Sequence, residues 1–277
     1  MKDKAEQKLD ALKMEISKYD KLIVAFSGGL DSALLLKVSH MVLGNKVLAV
    51  ISDSPSIPRS ELDAAIDFAR ETGSRLKVVT TGELENESYS KNPDNRCYYC
   101  KTELYEYTTS VAREEGIRFI ANGTNLDDLG DYRPGLKAAE EHQVVSPLRD
   151  AALTKDDIRS IAKYLELNIW DKPASPCLAS RIPYGSPVTP EKLAQVEEAE
   201  GFVRSLGVKE LRVRHFGERA VLEVNPLYNN IVEANIGEIR AIFTKIGFYV
   251  TEIKEFKSGS LNKLINSNAK GKTEGAS

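Results

Sequence analysis

Cys97 and Cys100 stand three residues apart in NRCYYCKTELY, and the chain of 277 residues has one further cysteine, Cys177, in PASPCLASRIPYG. Two thiolates one helical turn apart can grip a single metal centre. Structural zinc takes four protein ligands, so three cysteines stop one short. A second stretch, IVAFSGGLDSALLL, sets Ser27, Gly28, Gly29, Asp31 and Ser32 between a short apolar run and a helical one. There the uncommitted N–H groups and the positive helix end make an anion site, and glycines let phosphates approach the backbone. A Walker A loop would continue Gly-Lys-Ser/Thr; this one does not, so transfer of a γ-phosphate is not the expected chemistry. A third stretch, LRVRHF, alternates Arg212 and Arg214 with Leu211 and Val213. On a strand that puts both guanidiniums on one face, where they suit a dianionic phosphate or carboxylate.

These residues need elements to hold them. KLIVAF, KVLAVI, RLKVVT and IRFIAN are apolar, β-branched runs too short for helices and read as buried parallel strands. DSALLLKVSHMVLG and SELDAAIDFARETG between them have helical periodicity and stop at Gly44 and Gly73. The alternation predicts an α/β fold, a doubly wound, mostly parallel sheet. LTKDDIRSIAKYLEL adds a helix with Thr154 as N-cap and an acid three residues on. The first twenty residues predict an amphipathic helix with Leu9, Leu12, Ile16 and Met14 toward the core. The five prolines of DKPASPCLASRIPYGSPVTP mark an ordered linker or site loop. Beyond it come a helix over Pro190–Leu206, strands LRVRHF and AVLEV, one or two helices up to Ile246, and strand FYVTEI: a smaller α+β domain. The expected organisation is 1–175, 176–257 and a disordered polar tail, 258–277.

Composition narrows the partners. With 38 basic against 41 acidic residues no global field draws the chain to nucleic acid or an anionic membrane, which makes a nucleic-acid partner unexpected. No apolar run approaches the length of a membrane span, and the charged start is not a signal peptide. Three cysteines without a secretion signal point to a reducing cytoplasm. The oligomeric state stays open, a homo-oligomer included.

SGGxDS after a first strand resembles the PP-loop ATP pyrophosphatases, the group of GMP synthetase, NAD synthetase and the tRNA thiolases. The resemblance continues in SPLRDAALTKDDIR, where the group has a lysine near the pyrophosphate, here Lys155. It implies that ATP is cleaved between the α and β phosphates, that AMP is placed on a substrate oxygen to make it a leaving group, and that Mg²⁺ bridges the phosphates with Asp31 as a contact. GDYRPGLKA (Gly130–Ala138), ASRIPYG (Ala179–Gly185) and RSLGVKELRVRHF (Arg204–Phe216) resemble one family within that group, the LarE sulfur insertases, over nearly the whole chain. The family's substrate is a small-molecule pyridinium mononucleotide whose two carboxylates are adenylated and converted to thiocarboxylates in nickel-pincer cofactor synthesis. The resemblance implies a nucleotide-binding set of Ser27, Gly28, Gly29, Asp31, Ser32, Ser54 and Gly123. It implies a catalytic set of Asp31, Arg133, Lys155, Arg181, Glu200, Arg212, Arg214 and Glu223. Glu200 and Glu223 would position groups or move protons.

One branch of the family sacrifices the sulfur of a single cysteine in the ASRIPYG loop. Here Pro176 takes that position, Cys177 follows it, and Cys97 and Cys100 are present besides. The set resembles the other branch, in which three cysteines hold a [4Fe-4S] cluster whose fourth iron takes an external sulfide. Ferredoxin clusters use four cysteines for electron transfer, so the missing fourth favours sulfur chemistry. Buried structural cysteines, a Cys3His zinc site completed by His215, His142 or His40, and single use of Cys177 remain as alternatives. At the level of function the alternatives are a tRNA thiolase and a non-enzymatic adenylate-sensing module.

Overall fold

The computed structural model describes residues 3–130, 134–173 and 175–257; Arg133 and the tail 258–277 fall outside them. The chain forms two compact units. The first takes the chain up to Tyr89 and Asn95–Pro176, and the second takes Ser90–Asp94 and the chain from Cys177 onward.

The first unit runs α1 (Lys4–Ile16), β1 (Leu22–Ala25), α2 (Leu30–Leu43), β2 (Val47–Asp53), α3 (Arg59–Glu71), β3 (Arg75–Thr80), the single turn α4 (Glu87–Ser90) at its border, α5 (Arg96–Glu115), β4 (Phe119–Ala121), α6 (Pro134–Glu141), the single turn α7 (Pro147–Asp150) and α8 (Lys155–Tyr164). All four strands are parallel, in the order β3-β2-β1-β4. β1 therefore has β2 on one side and β4 on the other, and the winding reverses at its carboxyl end, the place where open α/β sheets bind ligands. Alternate strand residues face opposite layers. Leu22, Val24, Val47, Ala49 and Ile51 pack with α1, α2, α3 and α8. Ile23, Leu48, Val50 and Val79 pack instead with Leu104, Val111 and Ala112 of α5. In α1, Leu9, Leu12 and Ile16 are buried, each such side chain contributing ~1.5–3 kcal/mol. Met14 corrects the sequence expectation: it is 69% exposed, because two residues at ~100° each carry it to the far side of the helix from Leu12. Among the described residues no helix is long and apolar enough to cross a membrane.

The second unit comprises α9 (Pro190–Ser205), β5 (Leu211–Phe216), β6 (Arg219–Val224), α10 (Asn229–Ala234), α11 (Ile236–Ile246) and β7 (Val250–Glu255). β5 and β6 pair antiparallel, and β7 joins β6 in parallel. Leu211, Val213, Ala220 and Leu222 pack with Ala199 and Val203 of α9 and Ile239 and Phe243 of α11. This leaves the opposite face of the sheet to Arg212, Arg214 and Glu223.

Candidate active site

In the first unit the loop Phe26–Gly29 leaves β1 at the switch point and enters α2. Gly29 is the N-cap of α2, and no side chain caps the helix, so its first N–H groups stay available for an anion. Two hydroxyls shape the loop: Ser27 donates its backbone N–H to Ser32 Oγ at 3.2 Å, and the two hydroxyls lie 3.0 Å apart. Gly28 has φ +72°, and a Cβ there would sit 2.7 Å from Ala65 Cβ of α3. Both conditions select glycine. Gly123, after β4, is required for a different reason: a Cβ would lie 2.9 Å from Ser32 N and 3.1 Å from Asp31 Cβ. Its bare backbone lets the loop after β4 close against the start of α2.

Asp31, in the first turn of α2, is paired with Lys155. The lysine Nζ lies 2.6 and 2.5 Å from its two carboxylate oxygens. Asn125 adds a longer hydrogen bond of 3.4 Å to Asp31. Lys155 is fixed at the start of α8, where Thr154 and Asp157 form a reciprocal capping box and the Lys155 N–H donates to Asp127 at 2.8 Å. Burial would raise the Asp157 carboxyl, but its bonds from Thr154 and Lys8 hold it below the ordinary range. Ser54, after β2, is buried and donates its hydroxyl to the equally buried Glu83. Lys172 was not singled out from sequence. Its Nζ donates to the Gly28 carbonyl at 3.2 Å and pairs with Glu61 of α3 at 2.7 Å. Only tertiary structure brings it to the phosphate loop, from a position 144 residues away.

In the second unit Arg181 and Glu200 are both fully buried. Glu200 accepts from Arg181 Nε at 2.8 Å and NH2 at 3.0 Å, from Arg204 at 2.8 Å and from the Val213 N–H at 3.0 Å. Burial pushes its carboxyl up, and the two arginines overcome this and leave it below the ordinary range. Arg181 also donates to the Cys177 carbonyl at 3.1 Å and to Ser180 Oγ at 3.0 Å. Arg214 holds Glu223 at 2.9 Å through Nε and the Ser180 carbonyl at 3.0 Å. Arg212 lies in register with Glu223, donates to the Leu211 carbonyl at 2.7 Å and stands 5.4 Å from the centre of the Phe256 ring. Burial, reinforced by Arg181 and Arg214 and opposed by Glu200, lowers the Arg212 guanidinium to about 10. Arg181, Arg204, Arg212 and Arg214 thus gather around Glu200 and Glu223, and such a cluster of guanidiniums suits an anionic substrate group. Asn92, also unforeseen, is fully buried with φ +56° and ties down the ASRIPYG loop. It donates to the Pro183 and Ser186 carbonyls at 2.8 and 2.9 Å. Asn is among the few residues that tolerate that backbone.

Arg133 lies outside the described residues. Cys97 is the second residue of α5 and Cys100 stands one turn further on, near a helix start whose N-cap Asn95 makes no side-chain cap bond and whose positive end favours thiolates. Cys97 is exposed, Cys100 and Cys177 are partly so, and none forms a disulfide. The helix-borne pair fits two ligand positions of a metal centre. Among the described residues, however, no group of three or more His, Cys, Asp or Glu is placed to hold a metal ion. For Mg²⁺ the loop supplies one carboxylate, Asp31, and such ions take their remaining ligands from phosphates and water.

No protein-family model matches the chain. It is 27% identical over 219 residues, 72% of this chain and 67% of the relative, to one component of the glutamine-hydrolysing GMP synthase of Methanopyrus kandleri. Sheet order, loop and relative together define the class, a PP-loop ATP pyrophosphatase. An uncharacterized protein of Synechocystis is 40% identical over 264 residues, 94% of this chain and 98% of its own. The pyridinium-3,5-bisthiocarboxylic acid mononucleotide synthase of Lactiplantibacillus plantarum is 35% identical over 255 residues, 88% of this chain and 90% of its own. The chain belongs to the LarE family, and it is an ATP-dependent enzyme.

Proposed function

We propose that the chain is a sulfur insertase that adenylates the carboxylates of a pyridinium-3,5-biscarboxylic acid mononucleotide and exchanges an oxygen of each for sulfur. The observation that carries this reading is the likeness to the synthase of that product over nine-tenths of the relative. A carboxylate oxygen attacks the α-phosphorus of ATP, the bond to the β-phosphate oxygen breaks, and pyrophosphate leaves. A sulfide then attacks the acyl carbon of the acyl adenylate, and AMP departs with the oxygen it carried.

Ser27, Gly28, Gly29 and Ser32 would hold the phosphates, and Ser54 and Gly123 would complete the nucleotide pocket. Asp31 would meet the Mg²⁺ that accompanies ATP, and Lys155 would meet the phosphate charge. Arg212 and Arg214 would take the anionic groups of the mononucleotide. Glu200 would hold Arg181, and Glu223 would hold Arg214, so both carboxylates position guanidiniums. Arg133 is retained in this set by the family resemblance.

For the sulfur we propose a [4Fe-4S] cluster held by Cys97, Cys100 and Cys177. Such a cluster supplies an iron without a protein ligand, to which an external sulfide donor can deliver. Two points support it: the pair one helical turn apart on α5 and the absence of a fourth cysteine. The test is anaerobic purification with iron, sulfide and zinc analysis, followed by mass spectrometry after many turnovers. Iron-loaded protein with three intact cysteines supports the reading. Dehydroalanine at Cys177 in active, iron-free protein refutes it and makes that cysteine a single-use donor.

A further inference from the structure

We propose that Lys172 is a second phosphate-binding cation of the ATP site, which Glu61 holds at the loop until a nucleotide arrives. The inference rests on the reading of Ser27–Ser32 as the pyrophosphate loop. Its Nζ already stands at that loop, 3.2 Å from the Gly28 carbonyl. Gly28 packs closely on Ala65 of α3, where a Cβ would come within 2.7 Å. An ammonium has three N–H donors. Of these, one goes to the Gly28 carbonyl and one to Glu61, and among the described residues the third has no protein acceptor.

The charge balance of the loop supports a nucleotide role. The other cation there, Lys155, is held by both oxygens of Asp31, and Lys172 adds a second cation to the same loop. Lys172 is matched by one oxygen of Glu61, whose side chain is 29% exposed. Water can solvate that carboxylate when the lysine turns to a phosphate, so the exchange leaves no buried charge unpaired. The loop lacks the lysine that a Walker A sequence carries within itself, and Lys172 brings a cation to the loop from elsewhere in the chain.

The competing role is a clamp that ties α3 to the loop through Glu61. Nucleotides of different length separate the two, because AMP lacks the phosphates that Lys172 would meet. Binding of ATP, inorganic pyrophosphate and AMP is measured by calorimetry for the wild type, Lys172→Gln, Lys172→Arg and Glu61→Gln. We expect Lys172→Gln to weaken ATP and pyrophosphate about tenfold or more, the effect of losing one charge-assisted bond, with AMP within about twofold of wild type. Lys172→Arg should recover most of the loss, and Glu61→Gln, which releases the lysine, should tighten pyrophosphate. Equal pyrophosphate affinity in wild type and Lys172→Gln overturns the proposal, as does a uniform loss for ATP and AMP accompanied by a lower melting temperature. If Lys172→Gln does not fold, Glu61→Gln decides: unchanged or weaker pyrophosphate binding counts against the proposal. Wild-type protein that binds ATP no better than AMP would overturn the loop reading itself, and the role of Lys172 with it.

Discussion

Glu200→Gln removes one charge and keeps the shape, and the geometry says where this hurts. The glutamine oxygen can still accept from Arg181 Nε and the Val213 N–H, which reach Glu200 Oε1 at 2.8 and 3.0 Å. Its NH₂ group, in place of Oε2, would face the donors of Arg181 and Arg204 at 3.0 and 2.8 Å. Donor then meets donor, and the fully buried Arg181 loses its counter-charge. Breaking a buried pair from one side costs about 3–5 kcal/mol. The Arg204 share is small, because that side chain is a third exposed and water screens it. At about 4–8 °C for each kcal/mol in a unit of this size, melting of the second unit should fall by about 12 °C or more at pH 7.5. Calorimetry should show that transition moving while ATP still protects the first unit. The Glu200 carboxyl is held below its ordinary range in the fold. Its stabilisation is therefore present above the unfolded value and is lost as pH falls through the folded one. The gap between wild type and Glu200→Gln should begin to narrow only as pH falls below the ordinary glutamate value of about 4.3. Replacing Arg181 and Glu200 together by methionine should restore much of the loss. Melting within about 2 °C of wild type would refute the reasoning.

Further outcomes follow from the same structure. Gly123→Ala forces a Cβ to within 2.9 Å of Ser32 N; it should cost about 1–3 kcal/mol by overpacking and raise the KM for ATP, checked by urea melts and by AMP formation. Arg212 titrates near 10, so affinity for an anionic substrate should decline as pH rises past that value, and Arg212→Lys should shift the decline, measured by equilibrium binding between pH 8 and 11. Burial and Lys192 hold the His215 imidazole below its ordinary value, so its contribution to stability is present above about pH 6.5 and is lost as pH falls through the folded value. His215→Gln, tested by melts from pH 7.5 to 4.5, should flatten that part of the profile.

The parts of the fold that one segment can encode were legible. The strand runs, the glycine stops at Gly44 and Gly73 and the capping box at Thr154 are local signals, and the helices and strands stand where those signals put them, but RLKVVT, expected to be buried, is an end strand of the sheet with only Val79 buried. The phosphate loop was legible for the same reason, since strand, glycines and helix start are contiguous. Residues that act through distant partners were not. Lys172 reaches Gly28 across 144 positions, and Asn92 reaches Pro183 across 91. The alternation in LRVRHF placed Arg212 and Arg214 on one face, but not the buried Arg181–Glu200 pair beside them, whose carboxylate accepts from the Val213 N–H of β5. Glu200 entered the site set through the family resemblance alone, and only packing reveals that its side chain is fully buried.

The central claim is that ATP energy reaches a carboxylate as an adenylate. Phosphorus NMR of the anaerobic protein with ATP, Mg²⁺, the pyridinium dicarboxylate mononucleotide and sulfide tests it most directly, with mass spectrometry of the organic product on the same sample. AMP and pyrophosphate are expected in equal amounts, with a product in which sulfur has replaced oxygen. ADP with orthophosphate, or AMP and pyrophosphate formed equally well without the mononucleotide, would contradict it.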